Sequence, residues 1–231
     1  MKIQGIQKLT LLDYPGKMAA TIFTAGCNFR CPFCHNASLV TKIDDRNDIP
    51  ETEIFAFLKK RSKVLEGVCI TGGEPLLQPD LEEFIREIKS MGYLVKLDTN
   101  GSDLRKLQKL VNESLIDYVA MDIKNAPNKY KETIGLNEDF LPQIIKTVDY
   151  LKGDAIPYEF RTTLVRELHK RDDIEAIGKW LKGAKKYYLQ KFNDSGDLIG
   201  FGLRGYTDDI MKQSLEIVRK YIPEANLRGV Q

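Results

Sequence analysis

The chain has 231 residues, with 35 lysines and arginines against 33 aspartates and glutamates, for a net charge of +2. That length gives room for a sizeable core, and the charge balance offers no footprint for broad nucleic-acid binding. At 42% hydrophobic and 29% charged, the composition excludes disorder and a fibrous repeat, and no apolar run approaches the roughly 20 residues of a membrane span. The basic runs Lys59–Lys60–Arg61 and Lys185–Lys186 read as solvated faces. Residues 1–13 lack the basic start, apolar stretch and cleavage site of a secretory leader, so the cytoplasm is the expected compartment.

Apolar periodicity predicts the elements in chain order. AATIFT (Ala19–Thr24) is a buried strand, Glu51–Leu65 a helix and VCIT (Val68–Thr71) a strand. Asp80–Met91 is a helix with Leu81, Phe84, Ile85 and Ile88 on one face and Asp80 as its cap. Then follow strand Leu94–Asp98, helix Ser102–Asn112 and strand Tyr118–Ile123. The polar segment Asn125–Asn137 reads as an excursion beyond the sheet. Helix Phe140–Leu151, strand Tyr158–Val165, helix Asp172–Leu181 and strand Tyr187–Phe192 come next, and Thr207–Tyr221, capped by Thr207, is the last helix. Six strands alternating with helices predict βα units and a mainly parallel sheet. Six units are too few for a closed eight-stranded barrel. The expected fold is therefore α/β, an open or partial (β/α)6 barrel in a single domain over 1–231. Its core covers about 17–192 and its terminal helix about 207–221, with functional residues at the carboxyl ends of the strands.

Those ends carry the chemistry. The first strand runs into Gly26–Cys27–Asn28–Phe29–Arg30–Cys31–Pro32–Phe33–Cys34–His35–Asn36. A compact loop with Cys27, Cys31 and Cys34 at this spacing turns three thiolates toward one centre, and iron–sulfur clusters are held by such thiolates. Two other readings stand beside it: a zinc site closed by His35 and a redox pair of Cys31 and Cys34. The fourth cysteine, Cys69, lies inside VCIT and reads as a small buried hydrophobe. CNFRCPFC resembles the signature of the radical S-adenosylmethionine (SAM) superfamily, with Phe33 at its aromatic position. The resemblance implies a radical SAM core and one [4Fe–4S] cluster on Cys27, Cys31 and Cys34. Its open iron would bind S-adenosylmethionine, whose reductive cleavage gives a 5′-deoxyadenosyl radical.

A second run, Thr71–Gly72–Gly73–Glu74–Pro75, follows the next strand. Two glycines let the backbone pass close to a ligand. The run resembles the superfamily's Gly-Gly-Glu-Pro motif, which implies that Gly72, Gly73 and Glu74 engage the cofactor. Further strand ends are polar: Asp98–Thr99–Asn100–Gly101, Met121–Asp122–Ile123–Lys124, Arg161 and Gln190. They are similar to the glycyl-radical-enzyme activase branch. That likeness implies that Lys124 and Arg161 meet the cofactor's carboxylate or ribose. Asp98, Thr99, Met121 and Asp122 would form a set for a monovalent cation, although a thioether suits such an ion poorly. Asn100, Gln190 and the backbone of His35, beside the cluster loop, complete the expected cofactor contacts.

The run Leu11–Leu12–Asp13–Tyr14–Pro15–Gly16–Lys17, joined to CNFRCPFCHN, resembles activating proteins of anaerobic ribonucleoside-triphosphate reductase. The resemblance implies a glycyl radical enzyme as partner. Four cysteines allow one cluster, so a flavodoxin- or ferredoxin-like protein is the expected electron donor. A small-metabolite radical SAM enzyme and an iron–sulfur electron carrier or redox sensor are the competing functions. Of the remaining residues, His169 reads as exposed, Trp180 as core and Leu203–Arg204–Gly205–Tyr206 as a plain turn.

Overall fold

The computed structural model describes residues 1–230, so Gln231, the last residue of the expected domain, lies outside the described residues. In chain order the elements are β1 (Ile3–Thr10), β2 (Ala19–Thr24), α1 (Ser38–Thr41), α2 (Glu51–Arg61), β3 (Gly67–Gly72), α3 (Leu81–Ser90), β4 (Leu94–Thr99) and α4 (Leu104–Asn112). Then come β5 (Tyr118–Asp122), α5 (Tyr130–Thr133), α6 (Leu141–Lys152), β6 (Tyr158–Leu164), α7 (Arg171–Trp180), β7 (Tyr187–Lys191), α8 (Asp208–Arg219) and β8 (Ala225–Arg228). The eight strands lie in chain order in one sheet that is mostly parallel and not closed. The six expected strands are β2 to β7.

β1 and β8 were not expected from the pattern. β1 pairs antiparallel with β2. As an edge strand it exposes three consecutive residues, Gln7–Lys8–Leu9, which erases the apolar alternation. β8 has four residues, of which Ala225 alone is buried, too few to show a period.

The chain packs as two compact units. The first comprises Met1–Asn28, Ser38–Thr99 and Asp103–Ala120. Its strands pair in register, so that Ala19, Gly67 and Leu94 stand side by side, and two residues further on Thr21, Cys69 and Lys96. Successive residues point to opposite faces of a strand, so these rows are layers on one face. Tyr14 plugs the lower layer against Ala19, Tyr118 and Leu94. Gly67 is required there, because a Cβ would come within 2.9 Å of the Tyr14 ring. The opposite face, with Ile22, Ile70, Val95 and Leu97 all fully buried, is apolar. α3 buries Leu81, Phe84, Ile85 and Ile88 on the i, i+3, i+4, i+7 stripe of an amphipathic helix. Asp80 precedes α3 but makes no side-chain cap; its carboxylate lies 3.7 Å from the amino terminus instead. α4 is capped by Asp103, which accepts from the Lys106 N–H at 2.9 Å.

The second unit comprises Phe29–Ala37, Asn100–Ser102 and the chain from Met121 onward. β6, β7 and β8 pair parallel within it. Buried Glu159 of β6 receives both guanidinium nitrogens of Arg228 from β8, at 2.7 and 2.8 Å, and that guanidinium lies 3.6 Å above the Tyr188 ring. α7 and α8 pack closely at Gly178, where a Cβ would meet Tyr221 at 2.9 Å. Thr207 stands at the start of α8 without a side-chain cap. Residues 125–137 leave the sheet, as expected, but not as an open polar loop. They fold as a short 3-10 turn and α5, burying Asn125, Ala126, Tyr130, Thr133 and Ile134. The buried amide of Asn125 donates to Thr133 Oγ1 at 2.8 Å and satisfies what composition alone assigns to solvent.

Candidate functional site

The first unit's candidate residues are positioned mainly by backbone contacts. β2 ends at Thr24, and its continuation, Gly26, is fixed at both ends: its N–H donates to Leu39 O at 2.8 Å and its carbonyl accepts from the Glu74 N–H at 2.7 Å. The Gly73 N–H donates to Thr24 O at 2.8 Å. A Cβ on Gly73 would stand 2.0 Å from the Gly26 carbonyl oxygen, and one on Gly72 2.4 Å from Thr24 backbone atoms. Gly72 also has φ +116°, a conformation that L side chains rarely adopt. The two glycines of GGEP are therefore required for contact with the backbone that leads into Cys27. Glu74 is buried. Its carboxylate caps the turn at Pro75–Leu77 through the Leu76 N–H at 3.1 Å and accepts from Thr99 Oγ1 at 2.8 Å. Asp98 pairs with the buried Lys96 ammonium.

Among the second unit's candidate residues, charge dominates. Cys31 and Cys34 face one turn, with the Cys34 N–H bonded to Cys31 O at 3.1 Å. Phe29 and Phe33 are buried around them, Phe29 edge-on to Phe140 and Phe33 edge-on to His169. The Arg30 N–H donates to Ile134 O at 2.8 Å, and the Gly200 N–H to Pro32 O at 2.7 Å, so two neighbouring segments hold the loop. Burial pushes the Cys34 thiol up, opposed by the Asn36 N–H and the Lys124 charge. Asp122 lies between Arg161 Nε at 2.9 Å and Lys124 Nζ at 3.1 Å. Burial alone would raise the Asp122 carboxyl, but the Arg161 and Lys124 charges outweigh it and hold it at about 2. Burial works against the charge on Lys124, and Asp122 and Cys31 overcome it to raise the ammonium well above its usual range.

Of the other expected residues, Asn100 is buried and spends its side-chain oxygen on the Ser102 N–H at 2.9 Å. Gln190 is half-buried on β7, in register with Thr163 and Arg228. His35 is exposed, stacked on Phe192 at 5.1 Å, with Nε2 2.9 Å from Asn193 O. Met121 is buried, and a Cβ on Gly101 would meet its terminal methyl at 2.2 Å. The thioether therefore serves packing. His169 is not exposed. It is fully buried, with Nε2 2.8 Å from Lys124 O and Nδ1 3.1 Å from the Val165 N, and burial lowers its pKa despite these backbone partners.

In chemical type the donors suit an iron–sulfur cluster, whose usual ligands are cysteine thiolates. No disulfide engages any of the four cysteines, and the Lys124 cation acts on both Cys31 and Cys34. Cys27 belongs to the first unit and the other two to the second. Among the described residues no group of three or more His, Cys, Asp or Glu side chains forms a ready-made metal cage, so the ligand set rests on the motif. Lys96 and Tyr130 were missed in the sequence. Lys96, a charge inside the apolar strand LVKLDT, was a visible signal. Tyr130, whose hydroxyl lies 3.4 Å from the Lys124 N, had none.

The model of the "Radical SAM superfamily" matches residues 21–181, so the chain belongs to the radical SAM superfamily. It is 34% identical to a Methanocaldococcus jannaschii protein over 99% of this chain and 96% of that one. The description of that protein as a glycyl-radical enzyme activating enzyme is itself provisional. It is 29% identical to a pyruvate formate-lyase-activating enzyme of Listeria monocytogenes, over 77% of this chain and 73% of that one. Among solved structures, Streptococcus suis SuiB bound to the precursor peptide SuiA superposes with TM-score 0.72 at 16% identity, over 90% of this chain. The present chain spans about half, 48%, of SuiB, and at that identity the likeness is one of fold.

Proposed function

We propose that the chain is a glycyl-radical-enzyme activating enzyme whose partner is an anaerobic ribonucleotide reductase. The observation that carries this reading is the backbone union of its two motifs. The Glu74 N–H of GGEP is bonded to the Gly26 carbonyl that opens the cysteine loop, at a closeness only glycine at 73 permits. The relative matched over nearly the whole chain supports the activase assignment. The run LLDYPGK before CNFRCPFCHN supports the choice of partner.

In this reading Cys27, Cys31 and Cys34 hold the cluster. When bound, the cluster would supply the electron for reductive cleavage of S-adenosylmethionine, the chemistry that would allow hydrogen abstraction from a glycine of the partner. The chain's own residues bind and orient. Gly72, Gly73 and Glu74 present backbone and a fixed carboxylate to the cofactor's amino group. Lys124 and Arg161, already paired with Asp122, present their remaining N–H groups to its carboxylate or ribose. Phe33 shields the loop from water. Thr99 fixes Glu74, and Asn100 shapes its own turn. Asp98 and Asp122 remain beside the cofactor as paired carboxylates, and His35 and Gln190 line the approach. A separate flavodoxin- or ferredoxin-like protein supplies the electron. Among the described residues no helix is long and apolar enough to cross a membrane, and clustered cysteines outside any disulfide suit a reducing cytoplasm.

The test is electron paramagnetic resonance of the anaerobically reconstituted protein mixed with the reductase, a reductant and S-adenosylmethionine. A glycyl doublet on the reductase is the expected result. Absence of the doublet with rapid turnover of a metabolite overturns the assignment in favour of a small-molecule enzyme.

A further inference from the structure

The middle layer of the first unit's sheet is polar where a packed interior would be apolar. Thr21, Cys69 and Lys96 occupy it in register on three adjacent strands, exposed by 1%, 0% and 1%. Thr21 donates to Asp13, the acidic residue of LLDYPGK. Lys96 places its ammonium 3.7 Å from Cys69 Sγ and in an ion pair with Asp98. The Cys69 thiol donates to the same Asp98 oxygen at 3.6 Å. Asp98 lies two residues further along β4, on the same face and one layer nearer the strand's carboxyl end. Cys69 is therefore a hydrogen-bonding member of a buried polar cluster, not an inert hydrophobe.

A buried lysine loses its hydration and is retained only with a counter-charge in place. The same ion pair answers the other half of the ledger, because it gives Asp98 a cation delivered by the chain. We propose that Lys96 is a positioning residue. Its ammonium is the resident counter-cation of Asp98, held in place by Cys69, so Asp98 takes up no monovalent metal ion. This rests on the cofactor-site reading above in one respect, that Asp98 borders the cofactor. It corrects the expected cation set by its donor chemistry. Asp98 is satisfied by Lys96, and Met121 is committed to packing against Gly101.

The experiment uses the reconstituted full chain in choline, sodium or potassium buffers of equal ionic strength, with two readouts: the thermal unfolding midpoint and equilibrium binding of S-adenosylmethionine. The wild type should melt at one temperature in all three buffers, and its affinity should change by less than about twofold. Lys96→Ala strands the Asp98 carboxylate and should melt roughly 10 °C lower in choline. It should weaken cofactor binding about tenfold, with both losses partly restored by sodium, potassium or butylammonium. Lys96→Ala/Asp98→Asn, which removes the stranded charge, should recover the melting point and show no cation response. A generalised packing defect would not be rescued by small cations. The proposal is overturned if the wild type gains about 5 °C or more from sodium or potassium. It is also overturned if Lys96→Ala melts like the wild type, or if the double variant responds to cations. Should Lys96→Ala not fold, the wild-type series and the double variant decide. A wild type that binds no cofactor in any buffer counts against the proposed function, while the melting series still decides the role of Lys96.

Discussion

The first unit's strand ends and the second unit's place their polar residues by different means. At Gly72 and Gly73 the first unit brings backbones so close that a single added carbon would collide with backbone atoms of Thr24 and Gly26. Its carboxylates Glu74 and Asp98 are spent on Leu76, Thr99 and Lys96. The second unit adds a dense set of charges, with Asp122 between Arg161 and Lys124 and the Lys124 ammonium influencing two cysteines. The lesson is that equal chemical roles fail differently. Substitutions should act sterically in the first unit and electrostatically, with a pH signature, in the second.

The largest expected effect is at the cysteines. Cys27→Ala, Cys31→Ala and Cys34→Ala should each abolish formation of 5′-deoxyadenosine. Cys69→Ala, although it removes one hydrogen bond from the Lys96 cluster, should retain it. Full activity in any of the first three breaks the ligand assignment. Next comes Gly73→Ala, whose Cβ has no space beside the Gly26 carbonyl and which should lose cofactor cleavage and cluster content together. Gly26→Ala meets no atom within 4 Å but must hold φ +94°, so it should cost only about 1–2 kcal/mol of stability. If the two variants behaved alike in cluster content and melting, the steric account of this region would fail.

The electrostatic half is tested by Asp122→Asn. Asp122 is held at about 2, below the roughly 3.9 of an unfolded aspartate. A lowered pKa contributes stability that is fully present above the unfolded value and is lost as pH falls through the folded one. Urea unfolding of the wild type should therefore weaken between about pH 4 and pH 2, and Asp122→Asn should remove that part of the slope. An unchanged slope would show that Arg161 and Lys124 do not govern Asp122. The smallest effect belongs to Trp180→Phe. Trp180 Nε1 is buried with no hydrogen-bond partner, and its ring meets Tyr130 edge-on at 6.0 Å. Removing the orphaned N–H while keeping the ring should leave stability unchanged or raise it by up to about 1 kcal/mol, read from the urea midpoint.

The sheet's interior strands were legible because parallel strands covered on both faces are near-continuous apolar runs, as in AATIFT and VCIT. β1 and β8 were not, since edge pairing is made by backbone and leaves side chains free to be polar. Of the candidate site, the motifs CNFRCPFC and GGEP were legible, because each names residue types at fixed spacing. The site was not legible where tertiary partners decide. His169 sits in a charged stretch yet is buried because two backbone groups satisfy its ring. Cys69 reads as a small hydrophobe until register places Lys96 beside it. The segment 125–137 is polar in composition, but its amide and hydroxyl groups bond one another inside the fold.

The most direct test of the central claim is chemical. The chain should be reconstituted anaerobically with iron and sulfide, reduced with dithionite and supplied with S-adenosylmethionine, and 5′-deoxyadenosine measured against time. Formation that continues beyond one equivalent per cluster when partner is present, and that vanishes in Cys31→Ala, is the predicted result. No 5′-deoxyadenosine from protein shown to hold a reduced cluster would contradict the account and leave an iron–sulfur carrier in its place.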